Sequence, residues 1–202
     1  MTLINLQFST NLKGGDNFRM HWFSTRTYIQ GINNPYSDAT SVEAQKDAYG
    51  RLAEEGESNL RFTSPLYTIF IFAPIALIGD FALARAIWMS ILEISLVMIV
   101  LLTLRLTYWK TKPLVLIALT VFSIFGFHGI LAVFDGNVSI LATLGIVGVV
   151  IAIRDQKDEV AGLLLAFSTF APMVSILFVL FIIVWALLNN RLGLLAWFGG
   201  AL

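Results

Sequence analysis

Residues 81–104 read FALARAIWMSILEISLVMIVLLTL, and this apolar run determines the class of protein. A helix that crosses a bilayer needs about 20 mainly apolar residues. The run meets this length, and its two charged side chains, Arg85 and Glu93, lie close to its start and in its middle. We therefore predict a transmembrane helix here.

The composition agrees with a membrane protein. Of the 202 residues, 57% are hydrophobic and 13% are charged, and the mean hydropathy is +0.81. A soluble domain carries about 25% charged residues, so this chain has too little polar surface to be soluble or disordered. The 13 basic and 13 acidic side chains cancel, which leaves no net positive charge to attract nucleic acid. We predict an all-α integral membrane protein built as a multi-span helical bundle.

The charged residues divide the chain into parts. Residues 1–62 hold six basic and seven acidic side chains, half of the total, and are predicted to form a polar extracytoplasmic loop with an amphipathic helix. Within residues 63–80, the apolar stretch Pro65–Gly79 has 15 residues, too few for a span, and it contains Pro74. This favours an interfacial or re-entrant helix over residues 63–80. Residues 81–202 are predicted to form transmembrane helices over 81–104, 113–134, 138–153, 160–188 with a break at Pro172, and a truncated helix over 192–202.

The orientation follows from the basic loop Arg105–Lys112, which has three basic side chains and no acidic one. The positive-inside rule places this loop in the cytoplasm, so residues 1–62 and the turn at Asp135 face the outside.

Around Pro172, a single kinked span and a hairpin of two short helices both fit the pattern. Because residues 192–202 are too few to cross a bilayer and no apolar helix precedes the outer loop, we expect the chain to be part of a longer protein.

The outer loop contains a turn followed by an aromatic and basic helix. Gly14 and Gly15 allow a tight turn that exposes the Asp16 carboxylate. The next residues alternate rings and cations at helical spacing, which predicts an amphipathic helix at the headgroup level; they are Arg19, His21, Trp22, Phe23, Arg26 and Tyr28. Gly31 ends this helix, and a turn follows. An aspartate after glycines is also common as a simple turn residue, and cations at this level also contact lipid headgroups.

The order of several motifs resembles a known family. The turn at Asp16, the aromatic helix, Asn34-Pro35-Tyr36 and a proline-bounded apolar helix look like the polyprenol-dependent membrane glycosyltransferases of the GT-C fold. The most similar group is glycosyltransferase family 87, which includes polyprenyl-phosphomannose-dependent mannosyltransferases. Further matches stand at Ser64-Pro65-Leu66, where the family has Tyr-Pro-Pro, and at Asp135-Gly136-Asn137, where it has a Gly-Gln-x-Asn loop. The resemblance covers residues 14–195 and implies a partial GT-C module.

The resemblance implies a function at the outer face of the membrane, in a bacterial plasma membrane. Asp16 would be the general base that takes a proton from an acceptor hydroxyl, while a polyprenyl-phosphate donor gives up its sugar, mannose in the related enzymes, with inversion. The partners are then the lipid bilayer, this donor and other membrane subunits, without nucleic acid. The residues expected to contact the donor phosphate are Arg19, His21 and Arg26, and those expected in the substrate cavity are Asn34, Tyr36 and Asn137.

Two departures from the family pattern support an alternative. Ala171 stands before Pro172 where the family has a lysine, and residues 1–15 do not predict the transmembrane helix that the family normally has before its catalytic aspartate. The chain would then be a non-catalytic membrane subunit or scaffold of a larger complex.

With two histidines and no cysteine, the sequence shows no metal-binding constellation, and we expect no cofactor.

Overall fold

The computed structural model describes residues 1–12 and 14–202. These residues form eleven α-helices and no strand, which confirms the all-helical prediction. The helices are α1 (Thr2–Asn11), α2 (Asp16–Ile29), α3 (Asp38–Tyr49), α4 (Thr68–Ala76), α5 (Phe81–Leu106), α6 (Pro113–Phe125), α7 (Phe127–Asp135), α8 (Ser139–Arg154), α9 (Asp158–Ser168), α10 (Pro172–Leu188) and α11 (Leu192–Ala201).

The chain folds into two compact units. The first unit contains Met1–Leu92 and Leu131–Asn137, and the second contains Glu93–Ile130 and Val138–Leu202. The helices α5 and α7 therefore each contribute residues to both units. The turn at Asp16 and the segment with Asp135 belong to the first unit.

One helix, α5, has the length and composition of a membrane span. Its 26 residues include an 18-residue window with a mean hydropathy of 2.4. The helices α6 and α7 have the length and hydropathy of a span only when they are taken together, and they are bent by 49° at the break between them. Among the described residues the structure thus has one helix that could cross a membrane, or two if the bent pair is one span, and the further predicted spans stay predictions.

The core of the first unit is an aromatic cluster beneath α2. Phe18 and Phe72 are fully buried and Trp88 is 2% exposed. The Trp88 ring centroid lies 5.7 Å from that of Phe18 and 4.6 Å from that of Phe72. These three rings come from α2, α4 and α5, so their packing fixes the first turns of α5 against the helix that begins at Asp16.

The helix α4 is short. Nine residues rise about 14 Å along a helix axis, which is about half the thickness of a bilayer core. One side of α4 contributes Phe72 to the core, whereas Phe70 is 81% exposed. A helix of this length with an exposed ring is consistent with the predicted interfacial or re-entrant element.

The second unit contains a core formed by α8, α9, α10 and α11. Its central side chains include Val149, Leu165, Ile182 and Leu194, all nearly or fully buried. The break at Pro172 separates α9 from α10, and Pro172 takes the first helical position of α10, where a proline loses no hydrogen bond. The segment 160–188 therefore consists of two helices, and α9 packs against α8 and α11.

Gly162 on α9 allows the close approach of α11. A Cβ at this position would lie 2.6 Å from the Leu194 carbonyl oxygen and 2.8 Å from the Phe198 amide nitrogen. Because both atoms belong to backbone, they cannot rotate away. We expect Gly162→Ala to lower the free energy of unfolding by about 1–3 kcal/mol, measured by chemical denaturation in detergent. Gly199→Ala is the control, because its Cβ would meet nothing within 4 Å; a Gly162→Ala variant as stable as this control would contradict the packing.

Candidate functional site

The candidate site is built on the turn that leads into α2. Gly14 has a φ of +123° and Gly15 a φ of +82°, in the region that glycine adopts at little cost. This turn places Asp16 at the first residue of α2. A carboxylate there lies at the positive end of the helix dipole.

The buried Arg85 supports this turn from α5. Its side chain is 1% exposed, and it donates hydrogen bonds of 2.9 Å to the carbonyl oxygens of Leu12 and Phe134. Its guanidinium carbon also lies 4.5 Å from the centre of the Phe134 ring. A Cβ at Gly15 would lie 2.5 Å from the Arg85 Nε. Arg85 therefore joins the chain before Asp16 to the segment 131–137, and Gly15 makes room for it.

A second carboxylate, that of Asp135, reaches the start of α2. The backbone N–H of Asn17 donates to Asp135 Oδ1 at 3.3 Å. The next residue, Gly136, has a φ of +72° and accepts a hydrogen bond of 3.0 Å from the Trp88 indole. A Cβ on Gly136 would lie 2.5 Å from the Phe18 Cβ, so only glycine fits. The structure thus brings Asp135 to the N-terminal end of α2, next to Asp16, and Asn137 follows two residues later in the chain.

Tyr49 contacts the Asp16 carboxylate, and Arg19 follows one turn later on α2. The Tyr49 hydroxyl donates to Asp16 Oδ2 at 3.0 Å. Burial and the neighbouring Asp16 carboxylate raise the pKa of Tyr49 to about 12, so this hydroxyl remains a donor at neutral pH. Arg19 pairs with Asp47 at 2.6 Å and lies 3.6 Å above the Phe81 ring. Tyr49 therefore anchors the Asp16 carboxylate, and the cation of Arg19 lies one turn further along α2.

His21 lies in the core and has no open face. It is 1% exposed, its ring nitrogens contact the Asn17 carbonyl oxygen at 2.7 Å and Ser64 Oγ at 2.8 Å, and its ring stacks on Phe72 at 4.6 Å. Burial lowers the pKa of His21 to about 4, so the ring is neutral at pH 7. A neutral, enclosed ring cannot offer a cation to the donor phosphate, and this structure gives no support to that predicted role.

The buried His21 predicts a loss of stability in mild acid. Its pKa is about 6.5 when the chain is unfolded and about 4 when it is folded, so the unfolded state binds more protons between these values. The contribution of the neutral His21 ring to the free energy of unfolding is therefore fully present above pH 6.5. It falls by about 3 kcal/mol in total as the pH decreases towards 4. His21→Gln should flatten this part of the curve of unfolding free energy against pH. An unchanged slope in the variant would show that other groups cause the acid sensitivity.

Arg26, Asn34 and Tyr36 lie towards the far end of α2. The helix has 14 residues and is therefore about 20 Å long, with Asp16 at its first residue. Arg26 donates to the Ala76 carbonyl oxygen at 3.3 Å. An open groove of about 470 Å³ follows the helix, and the residues that line it are Tyr28, Gly31, Ile32, Asn33, Asn34, Pro35, Tyr36 and Leu66. The structure thus separates Arg26 from Asp16 along α2. The Tyr36 hydroxyl instead donates to the Ser64 carbonyl oxygen at 2.7 Å, and the Ser64 side chain contacts His21.

Sequence reasoning missed two residues of this site. Arg85 carried a signal, because an ionisable side chain within an apolar run is costly and marks a functional candidate, but its partners were not evident. Tyr49 is 33 residues from Asp16 in sequence and lies in a segment without any recognisable motif. Only the packing of α3 against α2 reveals it.

Comparison with known proteins gives one finding. The model of Glycosyltransferase family 87 matches residues 62–202, which is more than two thirds of the chain and includes Arg85 and Asp135. The matched region begins at residue 62, whereas the motif resemblance begins at residue 14. Asp16 therefore lies outside the matched region. No curated protein and no solved structure matches the chain. Since the family model covers most of its length, the chain belongs to glycosyltransferase family 87, a family of membrane glycosyltransferases.

Proposed function

We propose that this chain transfers a sugar, with mannose as the first candidate, from a polyprenyl-phosphate donor to an acceptor outside the cytoplasm, and that Asp16 is the general base. The observation that carries the proposal is the placement of Asp16. Its carboxylate stands at the start of α2, between Tyr49 and the segment that contains Asp135. Family membership supports the general class of reaction, while donor, sugar and acceptor are part of the proposal.

The geometry of Asp16 suits a base. Tyr49 occupies Oδ2, and among the described residues no hydrogen bond to Oδ1 is formed, so Oδ1 can receive a proton from an acceptor hydroxyl. In the proposed step the acceptor O–H bond breaks towards Asp16, and the acceptor oxygen bonds to the anomeric carbon. The bond from that carbon to the phosphate oxygen breaks, and its electron pair leaves with the lipid phosphate. A base within hydrogen-bond reach accelerates such a step because the acceptor proton becomes acidic as the new bond forms.

Arg19 is the cation that we propose for the donor phosphate. It lies one turn after Asp16 on α2, and its pairing with Asp47 and its stacking on Phe81 orient the guanidinium. A planar guanidinium matches phosphate oxygens well. Arg26 is further along the same helix and would contact a more distant part of the lipid donor.

The polar groups near each end of α2 suggest separate roles. Asn137 follows Asp135 in the segment next to Asp16 and is proposed to contact the sugar. Asn34 and Tyr36 line the groove that follows the C-terminal end of α2. They are proposed to contact a part of the acceptor that extends into this groove.

Ala171 favours a second candidate function. The residue is buried and stands where the family pattern has a lysine, so one cation that would neutralise phosphate is missing. In this alternative the chain is a non-catalytic subunit of a larger membrane complex.

A donor comparison tests the proposal. Membranes with the chain are given a radiolabelled sugar either on polyprenyl phosphate or on a nucleotide, and labelled product is counted. The proposal predicts label transfer from the lipid donor in excess of membranes without the chain. Transfer from the nucleotide donor alone would contradict the assigned donor, and no transfer from either donor would favour the non-catalytic subunit.

A further inference from the structure

The C-terminal end of α5 closes with two backbone hydrogen bonds, in a pattern that the ends of α8 and α10 share. The N–H of Tyr108 donates to the Arg105 carbonyl oxygen at 3.3 Å, and the N–H of Trp109 donates to the Leu104 carbonyl oxygen at 3.2 Å. This pair of bonds is a Schellman motif, in which the residue after the helix takes a left-handed conformation and is usually glycine. Here that residue is Tyr108, with a φ of +54°.

Burial of the Tyr108 ring does not compensate for the strain in the Tyr108 backbone. A side chain in the left-handed region costs free energy that glycine avoids, and a buried ring would compensate through packing. Tyr108 is instead 77% exposed, and the neighbouring Trp109 is 57% exposed. The Tyr108 ring lies 5.1 Å from the guanidinium carbon of Arg154, so the strained backbone presents an aromatic ring beside a cation. Strain of this kind marks a candidate functional position.

The two exposed rings belong to a groove with a cationic lining. The groove has a volume of about 500 Å³ and is lined by Leu104, Arg105, Tyr108, Trp109, Lys110 and Arg154. The one carboxylate that contacts these cations, in the part of the chain that the structure describes, is Asp155, at 3.3 Å from Arg105 and 3.4 Å from Arg154. Lys110 makes no ion pair with any described residue. Three cations against one carboxylate leave an excess of positive charge.

The groove lies at the depth of lipid headgroups. A 26-residue helix is about 39 Å long, whereas the hydrocarbon core of a bilayer is about 30 Å thick. The end of α5 at Leu106 therefore reaches beyond the core, where tyrosine and tryptophan side chains concentrate. Apolar walls from Leu104 and Trp109 would face the start of the acyl chains, and the cations would face a phosphate.

We propose that this groove binds an anionic phospholipid, with its phosphate between Lys110 and Arg154 and its glycerol against Tyr108 and Trp109. The charge excess favours an anionic headgroup over a zwitterionic one. The apolar walls favour a lipid over a free phosphate ion. The groove contains none of the residues assigned to sugar transfer, so this proposal does not rest on the proposed function.

Retention of lipid by the full chain tests the proposal. The chain in mild detergent is titrated with phosphatidylglycerol or phosphatidylcholine, and bound lipid is counted by native mass spectrometry. We expect selective retention of phosphatidylglycerol and an affinity about fivefold lower in Lys110→Gln. Lys157→Gln is the matched control, because Lys157 is a nearby cation outside the groove lining and its loss should leave the affinity unchanged.

Tyr108→Gly separates binding from folding. Glycine removes the left-handed strain, so the variant should unfold at the same or a higher temperature while it binds phosphatidylglycerol less tightly. Three results would overturn the proposal: equal weakening by Lys110→Gln and Lys157→Gln, equal retention of both phospholipids, or displacement of the lipid by inorganic phosphate. If Tyr108→Gly bound phosphatidylglycerol with full affinity, the Tyr108 ring would not contact the lipid, and the proposed geometry would be contradicted.

Discussion

Asp16→Asn is expected to lower the rate of sugar transfer by a factor of about 10² to 10⁴. The amide keeps the shape of the carboxylate and can still accept the Tyr49 hydrogen bond at its oxygen. It cannot accept the acceptor's proton in the transition state. The change therefore removes the proton transfer while the fold remains, and the measurement is the initial rate with a radiolabelled lipid-linked sugar in membranes.

Asp38→Asn provides the control for this change. Asp38 also lies in the first turn of a helix, in α3, but its side chain is 82% exposed and its ion-pair partner is the surface residue Arg61. The Asp38→Asn variant should transfer sugar at the wild-type rate. If Asp16→Asn transferred sugar as fast as Asp38→Asn, Asp16 would not be the base.

Arg85→Met is expected to destabilise the first unit strongly. The substitution keeps an unbranched, flexible side chain but removes both hydrogen bonds to the Leu12 and Phe134 carbonyl oxygens. A hydrogen bond that involves a charged group contributes about 1.5–3 kcal/mol, so the two bonds predict a loss of about 3–6 kcal/mol. The variant should also lose transfer activity, because the turn before Asp16 and the Asp135 segment would separate. Chemical denaturation in detergent gives the free energy of unfolding.

Arg61→Met is the matched control, because it removes the same functional group from the surface. Arg61 is 60% exposed and pairs with an exposed carboxylate, and such pairs contribute about 0–1 kcal/mol. A loss in Arg85→Met no larger than in Arg61→Met would show that Arg85 does not hold the turn.

The membrane class and the helix at Asp16 could be predicted from sequence because both depend on local patterns. The apolar run 81–104 is contained in α5, which ends at Leu106. The helix expected between the glycine turn and Gly31 is α2, and its first residue is Asp16. Composition and spacing are properties of neighbouring residues, and helix formation responds to them.

The surroundings of Asp16 could not be predicted because they depend on distant segments. The contact with Asp135 joins positions 118 residues apart, and no periodicity specifies such a pairing. His21 shows the same limit, since the alternation of rings and cations places it on an amphipathic surface helix, whereas the packing of Phe72 and Ser64 encloses it. Burial in the folded chain, and not residue type, determines whether such a side chain is a cation.

The decisive measurement is the anomeric configuration of the product formed by wild-type protein in vesicles with a polyprenyl-phosphate sugar and an acceptor. A single displacement assisted by Asp16 predicts that labelled sugar appears on the acceptor with the configuration opposite to that in the donor. Retained configuration would require two successive displacements or attack from the face of the leaving group, and it would contradict a single displacement assisted by Asp16. Absence of labelled product under the same conditions would contradict the assignment of a catalytic function.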